Sequence, residues 1–303
     1  MTFGSSGALA KSLIDAGWSS GAVVTARIGL ATVVLLVPAL LALRGRWRVL
    51  RDNARLITAF GLVSMAGCQL FFFNAVTTIS VGVALLLEYL GITLVVLWLW
   101  LRHGQRPRRW TLGGIVLSLA GLVLVLDVAG ETAVDLQGVL WALAAAVGLA
   151  AYFVLSADAG RGLPPLVLAG GGMVVATAGL LVAGLIGVMP LRFAGAPVDF
   201  SGLVVPWFVP VVALAVISTA IPYTSGIAAV RRLGSKLASF VGLTEVLFSI
   251  LIAWLLLGQV LKPVQVAGGV LILAGVIAVR YDELRGTAPP LPAADVPAPA
   301  VAA

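Results

Sequence analysis

The chain reads as a row of apolar runs with nearly all of its charges confined to the gaps between them. The runs cover residues 2–14, 20–43, 56–77, 80–101, 110–126, 136–155, 166–188, 203–230, 235–257 and 263–279. A helix needs about 20 residues to cross the roughly 30 Å of bilayer hydrocarbon. All but the first run approach or exceed that length. In hydrocarbon every backbone N–H and C=O must be satisfied within its own segment, so runs of this kind are helices. They are too long and too evenly apolar for barrel strands. The expected fold is therefore an all-α integral membrane protein with ten transmembrane helices.

Composition supports this and removes other classes. Of 303 residues, 61% are apolar and 10% charged, against about 25% charged in soluble domains. Mean hydropathy is +1.14. A soluble enzyme, a disordered chain and a nucleic-acid module are excluded, so the expected partners are the lipid bilayer and a small-molecule substrate, not nucleic acid. The net charge of +7 belongs to topology. Fifteen Arg and Lys fall in alternate gaps (44–55, 102–109, 161, 231–236) or after the last run, whereas Arg192 and Lys262 alone occupy the others. The positive-inside rule then puts both termini in the cytoplasm of a bacterial inner membrane. The chain has one cysteine, Cys68, and one histidine, His103. Together they provide neither an intrachain disulfide nor a His/Cys zinc site. No metal or cofactor is expected, and Cys68 reads as a small buried hydrophobe.

The chain resembles itself at an offset of 154. Residues 100–125 and 254–279 share 11 identities in 26 positions, including Trp100/Trp254 and Gly104-Gln105/Gly258-Gln259. The repeat unit is five helices, and an odd number inverts the second copy in the membrane. Charge agrees: the first hinge, 101–110, carries four Arg and its copy, 255–264, a single Lys. The expected halves are 1–128 and 135–281, followed by a disordered cytoplasmic tail, 286–303, rich in Pro and Ala. Inverted repeats are a transporter feature and support alternating access around a midplane site. Gly113-Gly114, Ser118 and Gly121, matched by Gly268-Gly269 and Gly275, permit close helix contact. Packing within the chain is preferred over a homodimer face for them.

Several stretches are similar to a known family. FGSSGALAKSLIDAG (3–17), LLLEYLG (85–91), LRHGQRP (101–107) and LLLGQVLKPVQVAGGVLILAGV (255–276) resemble EamA-type members of the drug/metabolite transporter superfamily. The likeness covers about residues 3–281. It implies ten helices in two inverted five-helix halves, with a central cavity lined by the first four helices of each half and the fifth at the periphery. It also implies small metabolites, including amino acids, or drugs as substrates, usually exported. LLLEYLG is similar to the branch holding threonine/homoserine exporters. Two features depart from the family: both hinges read Gly-Gln where Gly-Glu is usual, and the first run is short. Its 13 or so residues rise only about 20 Å, so either the native product begins upstream of Met1 or this helix is unusually short.

An ionisable group inside a span costs several kcal/mol and is a functional candidate by default. Lys11, Arg27, Glu88 and Glu245 qualify. The two glutamates fall near mid-depth in equivalent runs, where each can exchange a proton or hold a substrate ammonium, or be half of an ion pair with Arg27 or Lys11. Arg27 can bind a carboxylate bidentately, lock helices or snorkel. Asn74, Gln69, Tyr89, Tyr152 and Tyr223 can line a cavity or bond helix to helix. Pro222 lies just after Ser218 and Thr219 and leaves a backbone carbonyl free. The leading reading is a proton-coupled secondary exporter, since no GxxxxGK[ST] nucleotide loop is present. The alternatives are a membrane-embedded enzyme, disfavoured because the short loops hold no clustered acid–base or metal constellation, and a channel.

Overall fold

The computed structural model describes residues 4–94, 109–125, 135–157, 162–200 and 202–286. Helices α1 (Ser5–Asp15), α2 (Ser20–Leu43), α3 (Trp47–Asp52) and α4 (Ala54–Thr78) open the chain. They are followed by α5 (Val81–Glu88), α6 (Arg109–Val125), α7 (Leu136–Ala157) and α8 (Pro165–Leu185). The last are α9 (Phe208–Ala215), α10 (Ile221–Leu257) and α11 (Pro263–Gly286). Helix α4 is widened into π-helical turns over Phe60–Gly67, and a second π section, Val216–Ala220, joins α9 to α10. Five lengths, α2, α4, Leu136–Ser156, α8 and Phe208–Val230, are long and apolar enough to cross a membrane; Val81–Leu94, Leu112–Val125, Phe248–Leu257 and Pro263–Ala278 are shorter apolar helices. The architecture is that of an all-α membrane protein.

Local chemistry sets the helix ends. Ser19 caps α2 by accepting from the Ala22 N–H at 3.2 Å, and the Asp135 carboxylate caps α7 through the Gly138 N–H at 2.8 Å. Each satisfies a donor that a helix start leaves open. Gly258, at φ +65°, ends α10 in the left-handed conformation that glycine adopts without strain.

Apolar and polar residues are distributed as a membrane requires. On α2, Val33, Val37 and Leu41 are more than 60% exposed, while Arg27 is fully buried. Lipid is as apolar as these side chains, so the outer face needs no polar cover.

Several boundaries differ from the sequence expectation, among them helix α3 in the 44–55 gap and the end of α11 at Gly286, seven residues past the expected 279. Residues 203–205, read as the start of a helical run, form strand β2 (Leu203–Val205), paired antiparallel to β1 (Val198–Phe200) with Val198 opposite Val205. Pro206 favours an extended Val205, and Asp199 accepts from the Gly202 N–H at 2.7 Å across the turn. Residues 231–234, read as a gap between two runs, are helical within α10, which joins those runs. They contain no proline, and a single glycine costs a helix only about 1 kcal/mol. A straight α10 would run about 55 Å. The helix carries both Tyr223, which stacks on Tyr152, and Glu245, which accepts from Tyr89.

Helices α6 and α11 make the tightest seam. A Cβ on Gly121 would lie 2.5 Å from the Gly268 carbonyl oxygen, and one on Gly275 would lie 2.4 Å from that of Gly114. The pairs 121–268 and 114–275 run in opposite directions, so the helices are antiparallel and the glycine stripes pack within the chain.

One end of the bundle carries a strap. Ser19 Oγ donates to the Pro190 carbonyl at 2.6 Å and accepts from the Arg192 N–H at 3.0 Å. Trp18 Nε1 donates to the Ala194 carbonyl at 2.7 Å, and its ring packs on Phe193 and Trp207. The segment after α8 is thereby tied to the α1–α2 turn. The first hinge with His103, the 126–134 loop, Arg161 and the tail from 287 onward lie outside the described residues.

Candidate functional site

The polar residues of the interior converge between α1, α2, α4, α5, α7 and the π section before α10. Arg27 is the hub. Its Nη1 donates to Ser6 Oγ and Gln69 Oε1, each at 2.6 Å, and its Nη2 to the Ser218 carbonyl at 2.5 Å. Nε donates to Thr219 Oγ1, and the guanidinium lies 5.5 Å from the centre of the Phe73 ring. Pro222 explains the carbonyl. Within a helix the Ser218 oxygen would accept from residue 222, which as proline has no N–H to give. Arg27 therefore does not snorkel; it joins three helices of the N-terminal part to the π section of the C-terminal part.

The two carboxylates flank this hub. Glu88 is the last residue of α5, just before a turn at Tyr89 and Leu90. It is buried, and its Oε1 accepts from the Cys68 thiol at 3.2 Å. Glu245, on α10, accepts from the Tyr89 hydroxyl at 3.2 Å. Arg27, Glu88 and Glu245 are within electrostatic range of one another, but among the described residues neither carboxylate forms an ion pair with Arg27. Tyr152 and Tyr223 stack edge to face with centroids 5.8 Å apart, and Gln69 Nε2 reaches the Tyr223 hydroxyl at 3.5 Å. Among the described residues, Arg27, Glu88, Glu245, three tyrosines and Gln69 thus share one centre, with Tyr152 and Glu245 only half-buried.

Two sequence candidates have partners of their own. Lys11 pairs with Asp15 at 2.5 Å, one turn along α1, and Asn74 accepts from Ser20 Oγ at 2.5 Å near the start of α2. Ser6 and Cys68 were not foreseen as members of the centre; Cys68 is buried as expected but bonded to a carboxylate. A groove of about 430 Å³ between α5, α10 and α11 is lined by Leu86, Trp254, Val266 and Val270 and by none of the candidates. Among the described residues no cluster of three His, Cys, Asp or Glu is placed to hold a metal.

Comparisons with known proteins address the family and the fold. The model of the EamA-like transporter family matches residues 1–127 and again residues 136–281. The chain belongs to the EamA-like transporter family. As an EamA protein it is a membrane transporter and not an enzyme. It is 29% identical over 269 residues to the threonine/homoserine exporter RhtA of Escherichia coli (strain K12), a match covering 88% of this chain and 83% of that protein. It is 26% identical to the inner membrane transporter YicL of Salmonella typhimurium (strain LT2), over 78% of this chain and 76% of the other. A solved crystal structure shares the fold with a TM-score of 0.59 at 20% identity, covering 94% of this chain and 98% of that one. These relatives support an exporter with a small-molecule substrate.

Proposed function

We propose that this EamA protein is a secondary exporter of small amino acids of the threonine or homoserine type, driven by proton exchange at Glu88 and Glu245. The observation that carries the reading is the centre itself. Two carboxylates that, among the described residues, form no ion pair with Arg27 suit a substrate ammonium or a proton, each displacing the other. The relatives named as threonine/homoserine exporters support the substrate class.

Alternating access between inverted halves, 1–128 and 135–281, completes the proposal, with both termini in the cytoplasm of a bacterial inner membrane. Three geometric relations support inversion. The π section Phe60–Gly67, shifted by 154, spans 214–221 and contains Val216–Ala220. The seam contacts 121–268 and 114–275 exchange with each other under the same shift. Gln69 and Tyr223, 154 apart, touch, as equivalent residues do at a pseudo-twofold axis. The 15-to-2 cation asymmetry supports the orientation.

The test is flux of threonine and homoserine from proteoliposomes under an imposed pH gradient. Glu88→Gln is expected to insert and fold as the parent does and to lose pH-driven flux. A well-folded Glu88→Gln protein with parental pH-driven transport defeats the coupling role. Access is tested at the strapped end. A Cβ on Gly17 would lie 3.5 Å from that of Ala194, within the range disulfides span. Oxidised Gly17→Cys/Ala194→Cys is expected to stop transport and dithiothreitol to restore it. Unchanged flux in the fully cross-linked protein would mean this end need not open.

A further inference from the structure

We infer that Cys68 is a positioning residue for Glu88, its thiol proton holding the carboxylate when it is empty and releasing it when it is loaded. The inference rests on the coupling role proposed for Glu88. Cys68 Sγ lies 3.2 Å from Glu88 Oε1 and 3.4 Å from the Ala145 carbonyl oxygen. A thiol has one proton to donate, so the two acceptors compete for it. An ionised carboxylate is the stronger acceptor and takes the bond. Once Glu88 has gained a proton or faces a substrate ammonium, that advantage shrinks and the S–H turns to Ala145. The proton stays on sulfur throughout, and only the direction of one hydrogen bond changes.

The surroundings restrict Cys68 to this rotation. A Cβ on Gly148 would come within 2.5 Å of Cys68 Cβ and 2.8 Å of its Cα, so α4 and α7 meet backbone to backbone. Just beyond Glu88, a Cβ on Gly91 would lie 2.2 Å from the Ala146 carbonyl oxygen. Both the thiol and the segment that follows the carboxylate are thus docked on the short stretch 145–148 of α7. The other groups acting on Glu88 come from separate elements, Arg27 on α2 and Glu245 on α10, while Tyr89 follows it in the chain. Among the described residues, Cys68 is the side chain that Glu88 itself bonds.

The experiment combines flux with a spectrum. In proteoliposomes under a pH gradient, Cys68→Ser, which keeps a donor, is expected to stay within about twofold of the parent, and Cys68→Ala to fall about tenfold, the order of one hydrogen bond to a charged group. In a Glu88→Gln background, Cys68→Ala is expected to add nothing. Equal flux for Cys68→Ala and the parent, or equal losses for the Ala and Ser variants, overturns the inference, since a packing role alone predicts the latter. Parental flux in Glu88→Gln by itself removes the underlying coupling role instead, so the two failures are distinguishable. Because the chain has one cysteine, its S–H stretch is a single infrared band, readable in the unmutated protein whatever the variants do. The band is expected to shift between acid and alkaline buffer and to stop shifting in Glu88→Gln. A band indifferent to pH in the parent sinks the proposal.

Discussion

The α6–α11 seam and the Arg27 centre hold the same chain together in opposite ways. The seam is backbone against backbone, made by Gly114, Gly121, Gly268 and Gly275, and its contacts map onto one another under the internal repeat. The centre is made of side chains, and it is lopsided. Ser218 meets Ser5 Oγ at 2.7 Å and gives its carbonyl to Arg27, while Ser64, its counterpart at the 154 offset, is buried with no hydrogen-bond partner among the described residues. Shape is repeated and chemistry is not. A seam built on close contact has one good arrangement, whereas hydroxyls and amides around a guanidinium can trade partners at about 1 kcal/mol each. The seam is suited to stay fixed while the centre rearranges.

The sharpest way to break the contrast is to put bulk in the seam. Gly121→Leu or Gly268→Leu forces a side chain where a Cβ alone would lie within 3 Å of backbone. Overpacking of this kind costs about 1–3 kcal/mol or more, and the expected outcome is little folded protein on size exclusion in detergent. A variant that folds and transports normally would mean the seam is loose. Next comes Arg27→Gln, which takes the guanidinium donors from Ser6, Gln69 Oε1 and the Ser218 carbonyl, at about 1–3 kcal/mol for each group left unsatisfied. It is expected to lower the melting temperature markedly. Because Arg27 and Glu88 are not ion-paired, adding Glu88→Gln should recover neither stability nor flux. Recovery would re-establish an ion pair between them. The smallest effect belongs to Pro222→Ala. It returns an N–H to compete with Arg27 for the Ser218 carbonyl, worth about 1 kcal/mol at most, and flux is expected to fall about twofold with the fold intact. A loss as large as that of Arg27→Gln would give the proline a larger role than freeing one carbonyl.

Much of this was legible in the sequence, for physical reasons that also mark where legibility ends. Charge inside hydrocarbon is costly, so Arg27, Glu88 and Glu245 stood out, and proline lacks a donor, so Pro222 pointed to a free carbonyl. What those groups bond to was hidden, because Ser6 and Thr219 reach Arg27 from helices distant in sequence. Cys68 looked like any small apolar residue, since nothing in a linear pattern says that Glu88, twenty positions on, folds back against it. Leu203–Val205 satisfied the pattern of a buried helix and a strand equally, with Pro206 the cue that separated them. The Arg231-to-Lys236 stretch carried the charges of a loop but no residue that ends a helix.

The α6–α11 seam also sets a schedule. Gly275 follows Gly121 by 154 residues, and at 5–20 residues per second a ribosome needs about 8–30 s to supply it. For that interval the glycine face of α6 has no α11 to pack against. The seam therefore cannot close until α11 has been made, whereas the Arg27 hub, whose partners end at Thr219, is supplied earlier.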